Sequence, residues 1–282
     1  MININKKIYF SKMHGLGNDF VVIDNINQNV TFSIKMIKKL SNRNTGIGFD
    51  QLLLVEKSNN KKYDFYYRIF NSDGSEVFQC GNGARCFAYF VYLKKLTNKK
   101  KIFVKTYTSD ICIKIINKNE IIVNMGKPKF NIHNIPKFHI DNFSLQTLNI
   151  NNQIIQFGNI FIGNPHCIIV VHNIKKYPVG KIGKIINSNY NDFPDGVNVN
   201  FMEVISPNSI ILRVYERGVG ETQACGSGAC ASVVFGILQK ILSSSVVVTL
   251  SGGNLKISWM GDTHSVYMSG PAEHVYDGYI KV

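Results

Sequence analysis

The chain repeats itself. Arg68, Glu76 and the run Cys80-Gly-x-Gly-Ala84 recur as Arg213, Glu221 and Cys225-Gly-x-Gly-Ala229, each pair 145 residues apart. A separation held constant through a strand, a glycine-rich turn and the start of an apolar run marks two copies of one folding unit. Behind the first turn the chain is apolar from Ala84 to Leu96, and behind the second from Ala229 to Leu242. Both runs are long enough for a helix and neither has a polar face, so each helix is expected to be buried on all sides. Lys94 and Lys95 are expected in the last turn of the first helix, where cations suit the dipole. The rest of each half must then wrap around its helix.

What remains in each half reads as strand. Apolar runs such as Leu52-Leu-Leu-Val55 follow glycine-containing turns, and Asp195-Gly-Val-Asn198 opens the matching stretch in the second half. Residues 31–43 carry apolar positions at helical spacing and predict one short surface helix. The two copies extend over roughly 6–130 and 154–276, with the polar stretch 131–153 as the expected linker. The domain expectation is therefore 1–130 and 131–271, with a last strand at 272–282 placed to complete the first half. The fold class is α+β: two pseudosymmetric domains, each a mostly antiparallel sheet or barrel curled around a buried central helix.

The cysteines in the turns carry the chemistry. A thiol at a helix N-terminus faces unpaired backbone N–H groups and the positive end of the dipole, which favour thiolate. A pseudo-twofold relation between the copies would aim Cys80 and Cys225 at one point from opposite sides. Inversion at a tetrahedral carbon needs that arrangement: one thiolate removes a proton while a thiol delivers one to the opposite face. Gly81 and Gly226 allow close backbone approach of an anion to the helix tips. Asn18 and Asn164 stand in equivalent turns, 62 and 61 residues before the two cysteines, and point to a shared site. Glu216 occupies the place of Asn71. His166 follows Gly-Asn-Pro and fits either a turn or the site. Cys86, Cys112, Cys167 and Cys230 lie in apolar runs and are expected in the core.

Composition removes other classes. The net charge of +14 comes mostly from scattered lysines, without a basic stripe interleaved with aromatics, so nucleic acid is not the expected partner. No stretch of about 18 apolar residues occurs, so no membrane span is expected. The N-terminal residues lack a signal-peptide core, which points to a cytoplasmic location with reduced thiols. Neither a Rossmann fingerprint nor a Walker sequence is present, and the Cys and His spacings do not suit zinc, so no cofactor and no metal is expected. Taken alone, the residues indicate a cofactor-independent two-thiol racemase or epimerase acting on an amino-acid-like anion. A proline-type racemase and a thiol–disulfide redox switch are the alternatives.

The motifs, in order along the whole chain, resemble the diaminopimelate epimerase family. They are Met13-His-Gly-Leu-Gly-Asn-Asp-Phe20, Asn71-Ser-Asp-Gly-Ser-Glu76, Cys80-Gly-Asn-Gly-Ala-Arg85, Gly163-Asn-Pro-His166, Glu216-Arg-Gly-Val-Gly-Glu-Thr222 and Ala224-Cys-Gly-Ser-Gly-Ala229. The resemblance implies interconversion of LL- and meso-diaminopimelate, a step of lysine and peptidoglycan precursor biosynthesis, without pyridoxal phosphate or metal. It implies that Cys80 and Cys225 are the acid/base pair and that His166 and Glu216 set the thiol pKa. It puts Asn18, Gln51, Asn71, Gly81, Asn82, Asn164, Asn198, Glu216, Arg217, Gly226 and Ser227 on the substrate. Tyr276 matches a position used in dimerisation, implying a homodimer. Phe78 departs from the family, where a polar or acidic residue is commoner.

Overall fold

A computed structural model describes residues 7–77, 80–130, 145–150, 153–188, 193–261 and 263–281. The chain divides into two compact units, one formed by residues 1–123 and 270–282, the other by 124–269.

The first unit contains strands β1 (Lys7–Gly15) and β2 (Asn18–Asp24), helices α1 (Asn25–Gln28) and α2 (Ile34–Ser41), and strands β3 (Gln51–Glu56), β4 (Phe65–Asn71) and β5 (Glu76–Val77). Helix α3 (Gly81–Leu93) follows, then β6 (Lys101–Lys105), β7 (Asp110–Asn117) and β8 (Glu120–Asn124). The second unit contains β9 (Gln146–Ile150), β10 (Gln153–Phe161), β11 (Pro165–Val170), α4 (Val179–Asn187), β12 (Asn198–Ser206), β13 (Ser209–Glu216) and β14 (Gly220–Thr222). It continues with α5 (Gly226–Leu238), β15 (Ser245–Leu250), β16 (Gly253–Ser258) and β17 (Tyr267–Gly270); β18 (Glu273–Lys281) returns to the first unit and pairs antiparallel with β1.

The two units share one pairing scheme. In the first, β1–β2 is antiparallel, β2–β3 parallel, β3–β4 antiparallel, β4–β6 parallel and β6–β7 antiparallel. In the second, β10–β11, β11–β12, β12–β13, β13–β15 and β15–β16 repeat the same senses in the same order. Among the described strands, neither series closes on itself within its unit, so each is an open curled sheet rather than a barrel. The linker expectation fails in part. Residues 131–144 lie outside those described, but 146–150 form β9, which pairs antiparallel with β10.

The central strands of each sheet, β2 and β3 in the first unit and β11 and β12 in the second, are covered on both faces, which is why they read as unbroken apolar runs. Val21, Ile23, Leu52 and Leu54 point to one side and pack with Ile37 and Leu40 of α2. The alternate residues, Phe20, Val22, Leu53 and Val55, are fully buried on the other side, where α3 packs on β1, β2, β3 and β7. In the second unit Val197, Val199, Phe201, Cys167 and Ile169 pack with Val179, Ile182 and Ile186 of α4, while α5 lies on β10, β11, β12 and β16. The core of α3 includes Phe87, whose ring meets Tyr67 at 4.5 Å and Phe65 at 6.0 Å between centroids. Burying such a ring stabilises by roughly 1.5–3 kcal/mol.

Helix α3 is not wholly apolar. Arg85 is fully buried in it and donates from Nε to the Pro271 carbonyl at 3.0 Å, tying the returning C-terminal segment to the first unit. Lys94 and Lys95 fall just beyond the last turn instead of within it. Lys95 adopts the left-handed conformation at φ 55°, and the Leu96 N–H reaches back to the Val91 carbonyl. Lys240, with φ 60°, ends α5 in the same way. Cys86, Cys167 and Cys230 are buried as expected, but Cys112 is only half-buried. The alternation of β7 turns Ile111, Ile113 and Ile115 inward and Cys112 out.

Candidate active site

In each unit the same edge of the sheet gathers the polar residues. Parallel strands β2 and β3 both begin there, antiparallel β4 ends there, and the tip of α3 rises beside them. Register therefore brings together Asn18, Gln51, Asn71 and Cys80. By the same rule Asn164 and His166, Asn198, Glu216 and Cys225 share the edge formed by β11, β12, β13 and α5.

In the first unit Cys80 is the N-cap of α3, and its sulfur accepts the Gly83 N–H at 3.2 Å. The Cys80 thiol faces Asn18 Oδ1 at 3.8 Å, and Asn82 Nδ2 reaches the same oxygen at 3.4 Å. Asn18 is oriented from behind: its Nδ2 donates to Asp50 Oδ2 at 2.9 Å. Asp50 is held by Arg43, which also bridges Asp19. Burial alone would push the Asp19 carboxyl up, but hydrogen bonds from Arg43 and Lys12 outweigh it and hold Asp19 at about 2. Lys12 also bonds the Gly48 carbonyl. Gln51 donates to Asn71 Oδ1 at 2.9 Å, and Asn71 donates to Ser75 Oγ at 3.2 Å. Gly81 and Asn82 are buried in the first turn of α3. Phe78 lies outside the described residues.

In the second unit Cys225 is the N-cap of α5 and is 4% exposed. Its thiol donates to Glu216 Oε2 at 3.2 Å, and the other carboxylate oxygen of Glu216 accepts from Thr222 Oγ1 at 2.6 Å. Ser227 Oγ lies 3.6 Å from the sulfur. The expectation of a lowered thiol pKa does not hold for Cys225. Burial, and then the negative charge of Glu216, push it well above the usual thiol range despite bonds from Ser227 and the Gly228 backbone. Cys225 is therefore a protonated thiol with its hydrogen directed to a carboxylate.

His166 does not bond either cysteine. It is fully buried; its Nε2 is 2.9 Å from Asn164 Oδ1 and its Nδ1 is 3.1 Å from Asn200 Nδ2. Burial lowers its pKa to about 3, so the ring is neutral. Asn198 is also buried, accepting the Arg217 N–H at 2.9 Å and donating to the Pro165 carbonyl at 3.4 Å. The exposed Arg217 guanidinium donates to the Asp195 carbonyl at 3.0 Å. Gly226 is buried at the start of α5 and Ser227 is half-buried. Tyr276 lies on β18, with its ring edge-on to Phe10 at 6.1 Å.

Sequence reading missed the groups beneath the helix tips. A Cβ on Gly83 would come within 2.5 Å of Tyr67 Oη, and a Cβ on Gly228 within 2.4 Å of Asn200 Oδ1. The Asn200 side could have been found: it stands two residues after Asn198 on a strand, hence on the same face. Among the described residues, no group of three or more His, Cys, Asp or Glu could hold a metal ion, and no helix is long and apolar enough to cross a membrane.

Comparison with known proteins agrees with the repeat. The family model described as diaminopimelate epimerase matches residues 10–131 and again 159–275. A diaminopimelate epimerase of Buchnera aphidicola subsp. Baizongia pistaciae (strain Bp) is 56% identical over 281 residues, covering 99% of this chain and 98% of the relative. Another, of Buchnera aphidicola subsp. Acyrthosiphon pisum (strain 5A), is 56% identical over 280 residues, covering 98% and 97%. Among solved structures, a hydroxyproline epimerase from Agrobacterium vitis superposes with a TM-score of 0.73 at 10% identity, covering 98% of this chain and 93% of that one. A phenazine biosynthesis protein of the PhzF family from Bacillus anthracis gives 0.71 at 15%, covering 98% and 100%. These distant likenesses establish the fold, and the close relatives establish the family: the chain belongs to the diaminopimelate epimerases.

Proposed function

We propose that this protein interconverts LL- and meso-diaminopimelate by proton transfer at an α-carbon, with Cys80 and Cys225 as the two acid/base groups. The observation that carries the reading is the recurrence, in both units, of an N-capping cysteine at the tip of a buried helix, ringed by polar side chains from the same strand ends. One sulfur, as thiolate, takes the α-proton, and the other, as thiol, delivers a proton to the opposite face. The Cys225 thiol, hydrogen-bonded to Glu216, stands ready as the proton donor in this state. In the reverse direction Glu216 is placed to accept the thiol proton, so Glu216 governs the state of Cys225 directly, and His166 acts through Asn164.

The amides of Asn18, Gln51, Asn71, Asn82, Asn164 and Asn198, the Glu216–Arg217 pair, and the backbone at Gly81, Gly226 and Ser227 are the proposed contacts for the ammonium and carboxylate groups of the substrate. Exposed Tyr9 and Tyr279, stacked on one face of β1 and β18, and exposed Tyr276 on the other face of β18 are apolar side chains that support a homodimer through this pair of strands. The reaction is tested by incubating reduced protein with LL-diaminopimelate in deuterated water. Meso product carrying deuterium at the inverted carbon is expected, and absence of both inversion and exchange refutes the reading.

A further inference from the structure

A buried polar chain runs under the second half of the site. Asn200 on β12 is fully buried; its Nδ2 is 3.1 Å from His166 Nδ1, 3.1 Å from the Cys167 carbonyl and 3.4 Å from the Asn198 carbonyl. Both carbonyls can only accept, so the amide nitrogen, and not the oxygen, must occupy that position. His166 Nδ1 then faces a donor and is left without a proton. In a neutral imidazole the proton must sit on Nε2, which points at Asn164 Oδ1, 2.9 Å away. That bond engages the oxygen of Asn164, whose Nδ2 makes no hydrogen bond among the described residues. Asn164 is half-buried at the strand edge, so it presents an N–H donor there. The remaining atom of the chain, Asn200 Oδ1, abuts Gly228 in the first turn of α5, against which Cys225 also packs.

We propose that Asn200 is a positioning residue that sets the tautomer of His166 and thereby the polarity that Asn164 offers to an anionic group of the substrate. The inference rests on the proposed epimerase reading for the identity of that group, but the tautomer itself does not. With Asn200 in place, Asn164 offers a donor, suited to a carboxylate. Without it, Nδ1 of His166 is released, either ring nitrogen can hold the proton, and Asn164 is free to turn and present its oxygen, which repels the same carboxylate.

The test is Asn200→Leu, which keeps the branched heavy-atom skeleton and removes the donor, read in two ways. Nitrogen NMR of the His166 imidazole should show a single Nε2-protonated form in the parent and a mixture, or the Nδ1-protonated form, in the variant. Steady-state kinetics should show KM raised about tenfold with kcat changed less than about threefold, the split expected when a ground-state binding contact is lost. A variant that keeps the single Nε2-protonated form overturns the proposal, and so does one that loses it with KM unchanged. If N200L does not fold, N200A is read in the same way. If the parent protein does not epimerise diaminopimelate, the proposed activity fails while the tautomer measurement still decides the role of Asn200.

Discussion

Replacing Gly228 by alanine probes the packing under Cys225 with the fewest atoms. The added methyl would sit 2.4 Å from Asn200 Oδ1 and 3.3 Å from both Cβ and Sγ of Cys225. The first distance is well inside van der Waals contact, so one partner must move by about 1 Å to restore it. Asn200 cannot yield cheaply: its amide is held by His166 and two backbone carbonyls, and the strand beneath it is paired on both sides. Overpacking a buried site costs about 1–3 kcal/mol. Disturbing a buried hydrogen bond adds about 1 kcal/mol. The expected loss for G228A is thus about 2–4 kcal/mol, or roughly 5–15 °C in Tm for a chain of this size. The assay is chemical and thermal unfolding of G228A, N200A and the double variant. If the clash is with the Asn200 amide, the double variant is more stable than the sum of the singles predicts, by at least about 1 kcal/mol. Gly180 is the control, since a Cβ there meets nothing within 4 Å, and G180A in α4 should stabilise by roughly 0.5–1 kcal/mol. Parent-like stability for G228A, or strict additivity with N200A, would refute the packing argument.

Further outcomes follow from the same geometry. Cys80→Ala and Cys225→Ala should each reduce inversion by about a thousandfold or more with circular dichroism unchanged, and full turnover in either would end the two-base reading. Glu216→Gln removes the charge that helps hold Cys225 protonated, so alkylation of that thiol should become faster at neutral pH while epimerisation falls; slower alkylation would contradict the assigned hydrogen bond. His166 is lowered from 6.5 to about 3 by burial, so between those values the unfolded chain binds a proton that the native chain does not. Its contribution to stability is complete above pH 6.5 and is lost as pH falls towards about 3. His166→Gln should therefore flatten the acid limb of a stability–pH curve, and an unchanged slope would argue against a buried neutral ring. Tyr276→Arg should convert a dimer to monomer in sedimentation if β1 and β18 form the interface.

Much of this arrangement could be read before the fold was known because duplication supplies an internal comparison. The offset between Cys80 and Cys225 located both helices and both turns, and the strands beside them followed from apolar runs that only a sheet covered on two faces requires. Helix α4 escaped because its local signals oppose it. Its N-cap is Pro178, which makes no side-chain capping bond, whereas α2 is opened by Ser33 accepting from the Met36 N–H. Gly183, which reads as a turn residue, is required in α4 for another reason: a Cβ there would lie 2.5 Å from Cβ of Tyr215. Packing against a distant strand overrides local propensity, and no window of sequence contains that information. Strand β9 was missed for the same reason, since Gln146-Thr-Leu-Asn-Ile150 carries only Leu148 and Ile150 as buried residues and is completed by pairing with β10.

The duplicated halves differ where the chemistry asks them to. Register makes Asn71 the counterpart of Glu216 and Gln51 that of Asn198, so one thiol is served by amides where the other has a carboxylate. An amide can orient a sulfur but cannot take its proton at neutral pH, whereas Glu216 can do both. The same divergence extends beneath the helices, where Tyr67 underlies Gly83 and Asn200 underlies Gly228. Under the proposed two-base inversion the two thiols must differ in protonation at the start of each turnover, and identical surroundings would give them the same state. The carboxylate next to Cys225 sets that half apart, because burial and then a negative charge 3.2 Å from the sulfur disfavour the thiolate there. Exchanging the pair, with Asn71→Glu and Glu216→Asn in one chain, should remove that charge from beside Cys225 and ease its ionisation. Alkylation mapped by mass spectrometry should then label Cys225 faster than in the parent, and unchanged labelling would show that burial, rather than Glu216, sets its state.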